Sequence, residues 1–274
     1  MTTLDVHANL TYDVGAPTSF AFSIIAARTA HQRVTSEQFD ITPDVDVTFE
    51  PYGEGAHQLL RFDAPAGSLD LSYRATISVD GDDTDPALLT EATFAQIPAA
   101  VLPYLNPSRY CESDRLVRFA SDLFGDVDPG YPRVQAVADW VGSNVHYEPG
   151  ATDGSSGTTD VLLQRAGVCR DFAHVSISLC RALGIPARYV SGYGVGVEPQ
   201  DFHGFFEAYL GDDWYLFDPT GMAAINSLAR IGFGRDAADT PFSTFVGDAS
   251  LVTKEITVEP VGDPEPEPDA TSTA

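Results

Sequence analysis

Three side chains in the second half of the chain have the types that nucleophilic attack on a carbonyl requires: Cys169, His203 and Asp218. Cys169 opens an apolar stretch with helical periodicity, and the free N–H groups at the positive end of a helix would stabilise a thiolate there. The same N–H groups could bind the oxyanion of a tetrahedral intermediate. Most free cysteines are small buried hydrophobic residues, however, so Cys169 alone does not establish a nucleophile.

His203 and Asp218 supply the groups that would activate such a thiol. His203 begins a predicted strand that runs to Leu210, and Asp218 ends the next predicted strand. The Gly211-Asp212-Asp213 turn between them predicts a hairpin, which can place the two side chains next to each other. Asp218 would then fix the imidazole tautomer while His203 faces the thiol. Spacing alone leaves a structural histidine and a turn aspartate as open alternatives.

Three other residues, His174, Cys180 and Cys111, are predicted to be structural. His174 lies about 140° around a helix from Cys169, and Cys180 lies about 16 Å along the same axis. His174 therefore cannot face the thiol, and Cys180 cannot form a disulfide with it. Cys111 precedes the first helix and has no partner histidine in view. An odd number of cysteines without a CxxC pair indicates free thiols, and no spacing suggests a metal site or a cofactor.

The elements that must position these residues differ before and after about residue 80. Up to about residue 80, alternating or apolar runs bounded by Gly, Pro and Asp predict an antiparallel β-sandwich. Beyond it, helices are predicted at residues 114–124, 132–145, 160–165 and 169–183, and strands at 188–193, 204–210 and 214–217. Helices followed by antiparallel strands indicate an α+β fold, in which the helices pack on the sheet.

These patterns divide the chain into an N-terminal β-sandwich domain at residues 1–82, a core at 83–258 and a tail at 259–274. The tail reads EPVGDPEPEPDATSTA and has no apolar pattern that could offset its ordering entropy, so it is predicted to be disordered. The acidic run at residues 80–85 lacks the spacing of an EF-hand loop and is predicted to be a solvated linker.

The charge balance is unusual, with 40 Asp plus Glu against 15 Lys plus Arg, a net charge of −25 and Lys254 as the single lysine. It disfavours nucleic acid and anionic membranes as partners. An acidic, lysine-poor surface is typical of halophilic proteins, because molar salt screens carboxylate repulsion within ~3 Å. The start of the chain lacks signal-peptide features and no apolar run could span a bilayer, so a cytoplasmic location is expected.

Several motifs resemble those of the transglutaminase-like superfamily. The stretches GVCRDFAH at 167–174 and RALGIPARYVSGY at 181–193 resemble its core motif. Asp218-Pro219-Thr220 resembles the third motif, and HGFFE at 203–207 resembles the second, which usually reads His-Ala-Trp-x-Glu. Two further segments, YLNPSRY at 104–110 and GRDAAD at 234–239, resemble parts of bacterial and archaeal members, whose N-terminal β-domain corresponds to residues 3–80.

The resemblance extends to about residue 258 and implies that residues 83–258 form a papain-like catalytic core with Cys169, His203 and Asp218 as its triad. It implies acyl transfer from a peptide or protein amide through a thioester on Cys169, and resemblance to microbial cysteine proteases favours hydrolysis. Amine transfer, as in a protein-glutamine gamma-glutamyltransferase, and a catalytically silent binding module remain the alternatives. An oxyanion side chain is expected before the nucleophile, with Tyr147 and Gln164 as candidates.

The charge imbalance predicts a salt-dependent fold. We expect the melting temperature to rise from dilute buffer to molar KCl, because salt screens the repulsion among carboxylates. Thermal melts across a KCl series measure this dependence, and a melting temperature that stays flat over the whole range would contradict it.

Overall fold

The structure is a computed structural model that describes residues 1–52, 57–262 and 270–274. Its N-terminal part is a β-sandwich. The strands of this part are β1 (Thr2–Val14), β2 (Thr18–Phe22), β3 (Gln32–Thr42), β4 (Thr48–Tyr52), β5 (His57–Ala64) and β6 (Gly67–Val79). In β1 every second side chain is fully buried, and β6 follows the same alternation from Leu69 onward. This period of two directs one face of each strand into the core.

In the core that follows the sandwich, helices pack on an antiparallel sheet. After a short strand β7 (Asp82–Asp83), the helices are α1 (Val117–Phe124), α2 (Tyr131–Asn144), α3 (Thr158–Gln164) and α4 (Cys169–Ala182). The strands β8 (His146–Tyr147) and β9 (Ala166–Gly167) form a parallel pair. The sheet contains β10 (Ala187–Gly194), β11 (His203–Leu210), β12 (Asp213–Phe217) and β13 (Leu228–Gly234), in the order β12-β11-β10-β13.

Helix α4 is the central element of this core, and all its residues from Asp171 to Arg181 are buried. Its apolar side chains pack with those of α2 and of the sheet in one hydrophobic cluster. The first turn is held by Asp171, whose carboxylate accepts hydrogen bonds from the Val168 N–H at 3.0 Å and the Thr152 hydroxyl at 2.5 Å. A carboxylate in this position satisfies a free N–H group and stabilises the helix start, which places Cys169 at the first helical residue.

The α+β class predicted from the sequence is confirmed. The predicted helices are found within a few residues of their expected bounds, except that residues 113–115 form a separate 3-10 turn before α1. Among the helices of the described ranges, none has the length and apolar character needed to cross a bilayer.

The sandwich is completed by strands that follow the core in sequence. β14 (Ser243–Val246) pairs with β2, and β15 (Ala249–Pro260) pairs with β1. The sheets therefore have the orders β14-β2-β5-β4 and β15-β1-β6-β3. The prediction that the core extends to residue 258 is wrong in this respect, because residues 243–260 pair with one edge of β1 and one edge of β2 and so belong to the sandwich.

The prediction of a disordered tail from residue 259 is also wrong for the residues described there. Glu259 and Pro260 end β15, and residues 270–273 are at most 3% exposed. The short strand β16 (Thr271–Ser272) pairs with β7. This segment is bound by polar contacts rather than by an apolar pattern, which is why hydrophobic periodicity did not reveal it. Residues 263–269 lie outside the described residues.

Specific side chains of the core hold this final segment. The Arg230 guanidinium donates to the Thr273 hydroxyl at 3.1 Å, and the Ser272 hydroxyl donates to Asp213 at 2.9 Å. Ala270 is fully buried in the same apolar cluster as α4. Residues 270–274 therefore contribute contacts to the core.

Deletion of residues 270–274 should destabilise the fold. We expect the free energy of unfolding to fall by about 1–3 kcal/mol, since the buried Arg230 and the half-buried Asp213 lose hydrogen bonds. Urea denaturation measures the difference. Thr273→Ser, which keeps the hydroxyl, is the control and should remain close to the parent, whereas a deletion variant of parental stability would show that the segment does not dock.

Candidate active site

Cys169, His203 and Asp218 come from different elements that meet at one edge of the core. Cys169 is the first residue of α4, His203 is the first residue of β11, and Asp218 directly follows β12. β11 and β12 are antiparallel neighbours, with Phe206 opposite Phe217. The predicted hairpin thus brings His203 and Asp218 together at the end opposite its turn.

His203 and Asp218 form a buried hydrogen-bonded pair. Nε2 of His203 lies 2.9 Å from Oδ2 of Asp218, and both side chains are at most 2% exposed. The other ring nitrogen, Nδ1, is buried and has no hydrogen-bond partner among the described residues. The Cys169 side chain is close enough to the imidazole to raise its pKa. Because Asp218 occupies Nε2, Nδ1 is the nitrogen available to exchange a proton with the thiol.

The environment favours a protonated imidazole. Burial by itself lowers the pKa of His203, but the hydrogen bond and charge of Asp218, together with the neighbouring Cys169 side chain, outweigh burial and raise this pKa to about 10. Burial raises the pKa of Asp218, whereas His203 and the hydrogen bonds from Thr220 and Ala223 bring it below its usual value. A carboxylate and an imidazolium are therefore the expected charge states at neutral pH, and an imidazolium stabilises a neighbouring thiolate.

Asp218 is held in one orientation by its own turn. Its Oδ1 accepts hydrogen bonds from the Thr220 N–H at 3.0 Å and from the Thr220 hydroxyl at 2.7 Å. Its Oδ2 accepts one from the Ala223 N–H at 3.1 Å in addition to the contact with His203. Donors on both oxygens fix the carboxylate plane, which in turn fixes the imidazole. The Asp-Pro-Thr motif thus has a visible structural role.

Cys169 is the accessible thiol of the three. It is half-buried, whereas Cys111 and Cys180 are fully buried, and all three are free. Burial raises the pKa of Cys111 to about 12 and also raises the pKa of Cys180. The Sγ of Cys169 lies 3.9 Å from the carbonyl oxygen of Phe202, the residue before His203. Accessibility and location therefore both single out Cys169.

The structure separates the two oxyanion candidates. Tyr147 lies on β8 opposite Gly167 of β9, and its phenol contacts both the backbone and the side chain of Cys169. Burial and the charge of Cys169 raise the pKa of Tyr147 to about 12, so the phenol stays protonated and can donate a hydrogen bond. Gln164 is exposed at the end of α3. Tyr147 is thus the candidate that lies at the thiol.

The departure from the usual second motif has a physical reason. Gly204 stands where that motif has alanine, and a Cβ added there would lie 2.5 Å from the Tyr189 hydroxyl oxygen. The tyrosine ring therefore occupies the space beside His203 that an alanine methyl group would need.

Glu207, the last residue of the second motif, is buried between two arginines. Its Oε2 accepts a hydrogen bond from Arg188 at 2.5 Å, and its Oε1 accepts one from Arg230. Arg188 also lies 4.2 Å from the Trp214 ring centroid and 3.8 Å from that of Phe233. Through these contacts Glu207 of β11 joins Arg188 of β10 to Arg230 of β13.

His174 has the structural role that its helical position predicts. Its Nε2 accepts a hydrogen bond from the Ala237 N–H at 3.1 Å, and its ring stacks on Tyr110 with centroids 5.0 Å apart. Burial and the charge of Arg170 lower the pKa of His174 to about 3, so it stays neutral. Asp236 accepts a hydrogen bond from the Tyr110 N–H at 2.9 Å. The motif segments at 104–110 and 234–239 therefore meet around His174.

Asp201 and Phe202 are site residues that sequence reasoning missed. The Phe202 carbonyl faces the thiol, and the charge of Asp201 contributes to the raised pKa of Tyr147. The signal that could have pointed to them is their position directly before His203. Within the described ranges, no group of His, Cys, Asp and Glu side chains is arranged to hold a metal ion.

Comparisons with known proteins show the family of the chain. The family model of the transglutaminase-like superfamily matches residues 117–219, and that of the bacterial transglutaminase N-terminal domain matches residues 2–99. A crystal structure from Cytophaga hutchinsonii, described as a "putative cysteine protease", superposes with a TM-score of 0.94 at 35% identity. That match covers 98% of this chain and 96% of the other. The chain therefore belongs to the transglutaminase-like superfamily.

Mycobacterial proteins are also similar to this chain. An uncharacterized protein of Mycobacterium leprae is 30% identical over 193 residues, which cover 65% of this chain and 68% of that protein. An uncharacterized protein of Mycobacterium tuberculosis is 30% identical over 154 residues. The chain spans about half of this second relative, since the match covers 48% of its length.

The site geometry predicts selective reactivity of Cys169. At near-neutral pH, iodoacetamide should alkylate Cys169 well before Cys111 or Cys180, because the other two thiols are buried and protonated. His203→Ala should slow the reaction by about tenfold or more, since it removes the imidazolium that stabilises the thiolate.

Peptide mapping by mass spectrometry measures both effects, with His174→Gln as a control that changes a histidine without contact to the thiol. Earlier labelling of Cys111 or Cys180, or unchanged reactivity of Cys169 in His203→Ala, would refute the assignment of the triad.

Proposed function

We propose that the protein is a cysteine-dependent amide hydrolase that cleaves peptide or protein amides through a thioester on Cys169. The observation that carries this proposal is the buried hydrogen bond between His203 Nε2 and Asp218 Oδ2, which leaves Nδ1 for the thiol. A thiol at a helix N-terminus, a histidine on that thiol and a carboxylate on the histidine are the parts that nucleophilic catalysis needs.

The first half-reaction forms the acyl-enzyme. The Cys169 thiolate attacks the amide carbonyl, and the resulting oxyanion is stabilised by the Cys169 N–H and the Tyr147 phenol. An oxyanion that enters between these donors takes the place of their present mutual contact. The intermediate collapses as His203 gives its Nδ1 proton to the leaving amine, which breaks the C–N bond and leaves a thioester.

The second half-reaction releases the acid. His203, now neutral, removes a proton from water, which attacks the thioester carbonyl, and Cys169 leaves as the thiolate beside the re-formed imidazolium. Asp218 keeps the imidazole in the required tautomer through both halves. Its hydrogen bonds to Thr220 and Ala223 maintain that orientation.

One observation favours hydrolysis over amine transfer, and another counts against a binding module. The similar structure from Cytophaga hutchinsonii, which matches over nearly the whole chain, is described as a "putative cysteine protease". Amine transfer would proceed through the same thioester and would differ only in the acceptor. The meeting of all three triad side chains counts against a silent binding module, which has no need to retain them.

A peptide library incubated with the protein in H₂¹⁸O tests this function. We expect new carboxyl groups that carry ¹⁸O, and we expect Cys169→Ala to abolish them. Asp218→Asn should reduce the rate on the order of 10³-fold or more, because the imidazole loses its preferred tautomer. Mass spectrometry of the products measures both.

Cys180→Ala is the matched control, since it removes a buried thiol outside the site, and it should retain cleavage. A parallel reaction with added primary amine separates the acceptors. Amine adducts that dominate over ¹⁸O products would assign amine transfer instead, and products that persist in Cys169→Ala would overturn the mechanism.

A further inference from the structure

The single lysine of the chain lies beside the candidate active site. Lys254 is on β15 of the sandwich, and its Nζ is 2.6 Å from Oδ2 of Asp201. Asp201 lies in the segment between β10 and β11, two residues before His203. The side chains of Lys254 and Asp201 are 29% and 36% exposed, so solvent and substrates can reach the pair.

The Asp201 carboxylate lies next to a residue that contacts the thiol, because it accepts a hydrogen bond from the Phe202 N–H at 2.7 Å. The next residue, Phe202, directs its carbonyl oxygen to Cys169 Sγ at 3.9 Å. The charge of Asp201 also contributes to the raised pKa of Tyr147, whose phenol contacts Cys169. The Lys254–Asp201 pair is therefore next to the residue that contacts Cys169 Sγ, and the charge of Asp201 reaches Tyr147.

The sandwich holds this pair in place. The Phe202 ring stacks on Phe242 with centroids 5.5 Å apart, and Lys254 Nζ lies 5.5 Å from the same Phe242 ring. Tyr193 packs against Phe202 from the sheet of the core, at 5.6 Å. The aromatic ring and the carboxylate both attract the ammonium group, which keeps it beside the site instead of free in solvent.

A partly exposed ion pair contributes little to the stability of a fold, so stability does not explain the Lys254–Asp201 contact. The main effect of Lys254 is to cancel the negative charge of Asp201. Without Lys254, Asp201 would add an unpaired negative charge next to the thiol site of a chain with net charge −25. That charge would repel anionic substrates from the thiol.

Building on the proposed function, we propose that Lys254 is a specificity-determining residue of the thiol site. By neutralising Asp201, it allows the site to accept acyl donors that carry a carboxylate beside the scissile amide, such as acidic peptides. The sandwich thereby contributes a side chain that selects substrates, in addition to supporting the core.

Alkylation of Cys169 by two reagents of different charge tests this proposal without a known substrate. The readout is the rate with iodoacetate divided by the rate with iodoacetamide, at the lowest salt concentration that keeps the protein folded. Lys254→Gln should lower this ratio by about three- to tenfold, as one uncancelled charge near the thiol would. Lys254→Arg should preserve the ratio, and Asp201→Asn should raise it.

The double variant Asp201→Asn with Lys254→Gln should return the ratio to near the parental value, and added salt should weaken every effect. Arg61→Gln is the matched control, since it removes the same charge and breaks the exposed Arg61–Glu50 ion pair on the same sandwich, 3.2 Å in length. It should leave the ratio unchanged.

The outcomes separate this proposal from the proposed function. If Cys169 reacts selectively but Lys254→Gln and Arg61→Gln give the same ratio, the role of Lys254 is refuted and the thiol site remains. Rates that fall equally with both reagents would show a purely structural role and would also refute it. If Cys169 is not selectively reactive in the parent protein, the proposed function itself fails.

Discussion

Charged groups buried in this core must have partners, and that constraint shapes the site and the elements around it. His203 and Asp218 are almost completely buried. The free-energy cost of burying them is offset by the hydrogen bond between them and by the donors of the turn that follows β12. The same requirement explains Asp171, which is buried and binds the Val168 N–H, the Thr152 hydroxyl and Arg170. The geometry of the candidate site and the cap of helix α4 are thus both consequences of satisfying buried carboxylates.

The buried basic residues of this acidic chain also have hydrogen-bond partners. Among the described residues, Arg181, Arg188 and Arg230 are each at most 4% exposed. Arg188 and Arg230 hold Glu207, while Arg181 donates to backbone carbonyls that include those of Ala187 and Arg235. The buried carboxylates Asp171, Glu207 and Asp236 balance these three positive charges, so the surface carries the net negative charge that the composition indicates.

The two domains are interdependent because the chain leaves the sandwich, builds the core and then returns. β14 and β15 complete both sandwich sheets, and His57 of the sandwich accepts a hydrogen bond from the Phe233 N–H of the core at 2.9 Å. The segment before His203 contacts the sandwich through Asp201 and Phe202. The position of His203 therefore depends on packing in both domains.

Local signals in the sequence were sufficient to predict the α+β class, the helix that begins at Cys169 and the hairpin that joins His203 to Asp218. Periodicity, caps and turns act between near neighbours, so they can be recognised without a structure. Only the tertiary structure decided between Tyr147 and Gln164, paired residues 243–260 with β1 and β2, placed residues 270–274 in the core and brought Lys254 to Asp201. These contacts join residues far apart in sequence, and several are single polar pairs, which no periodic pattern of hydrophobic residues records.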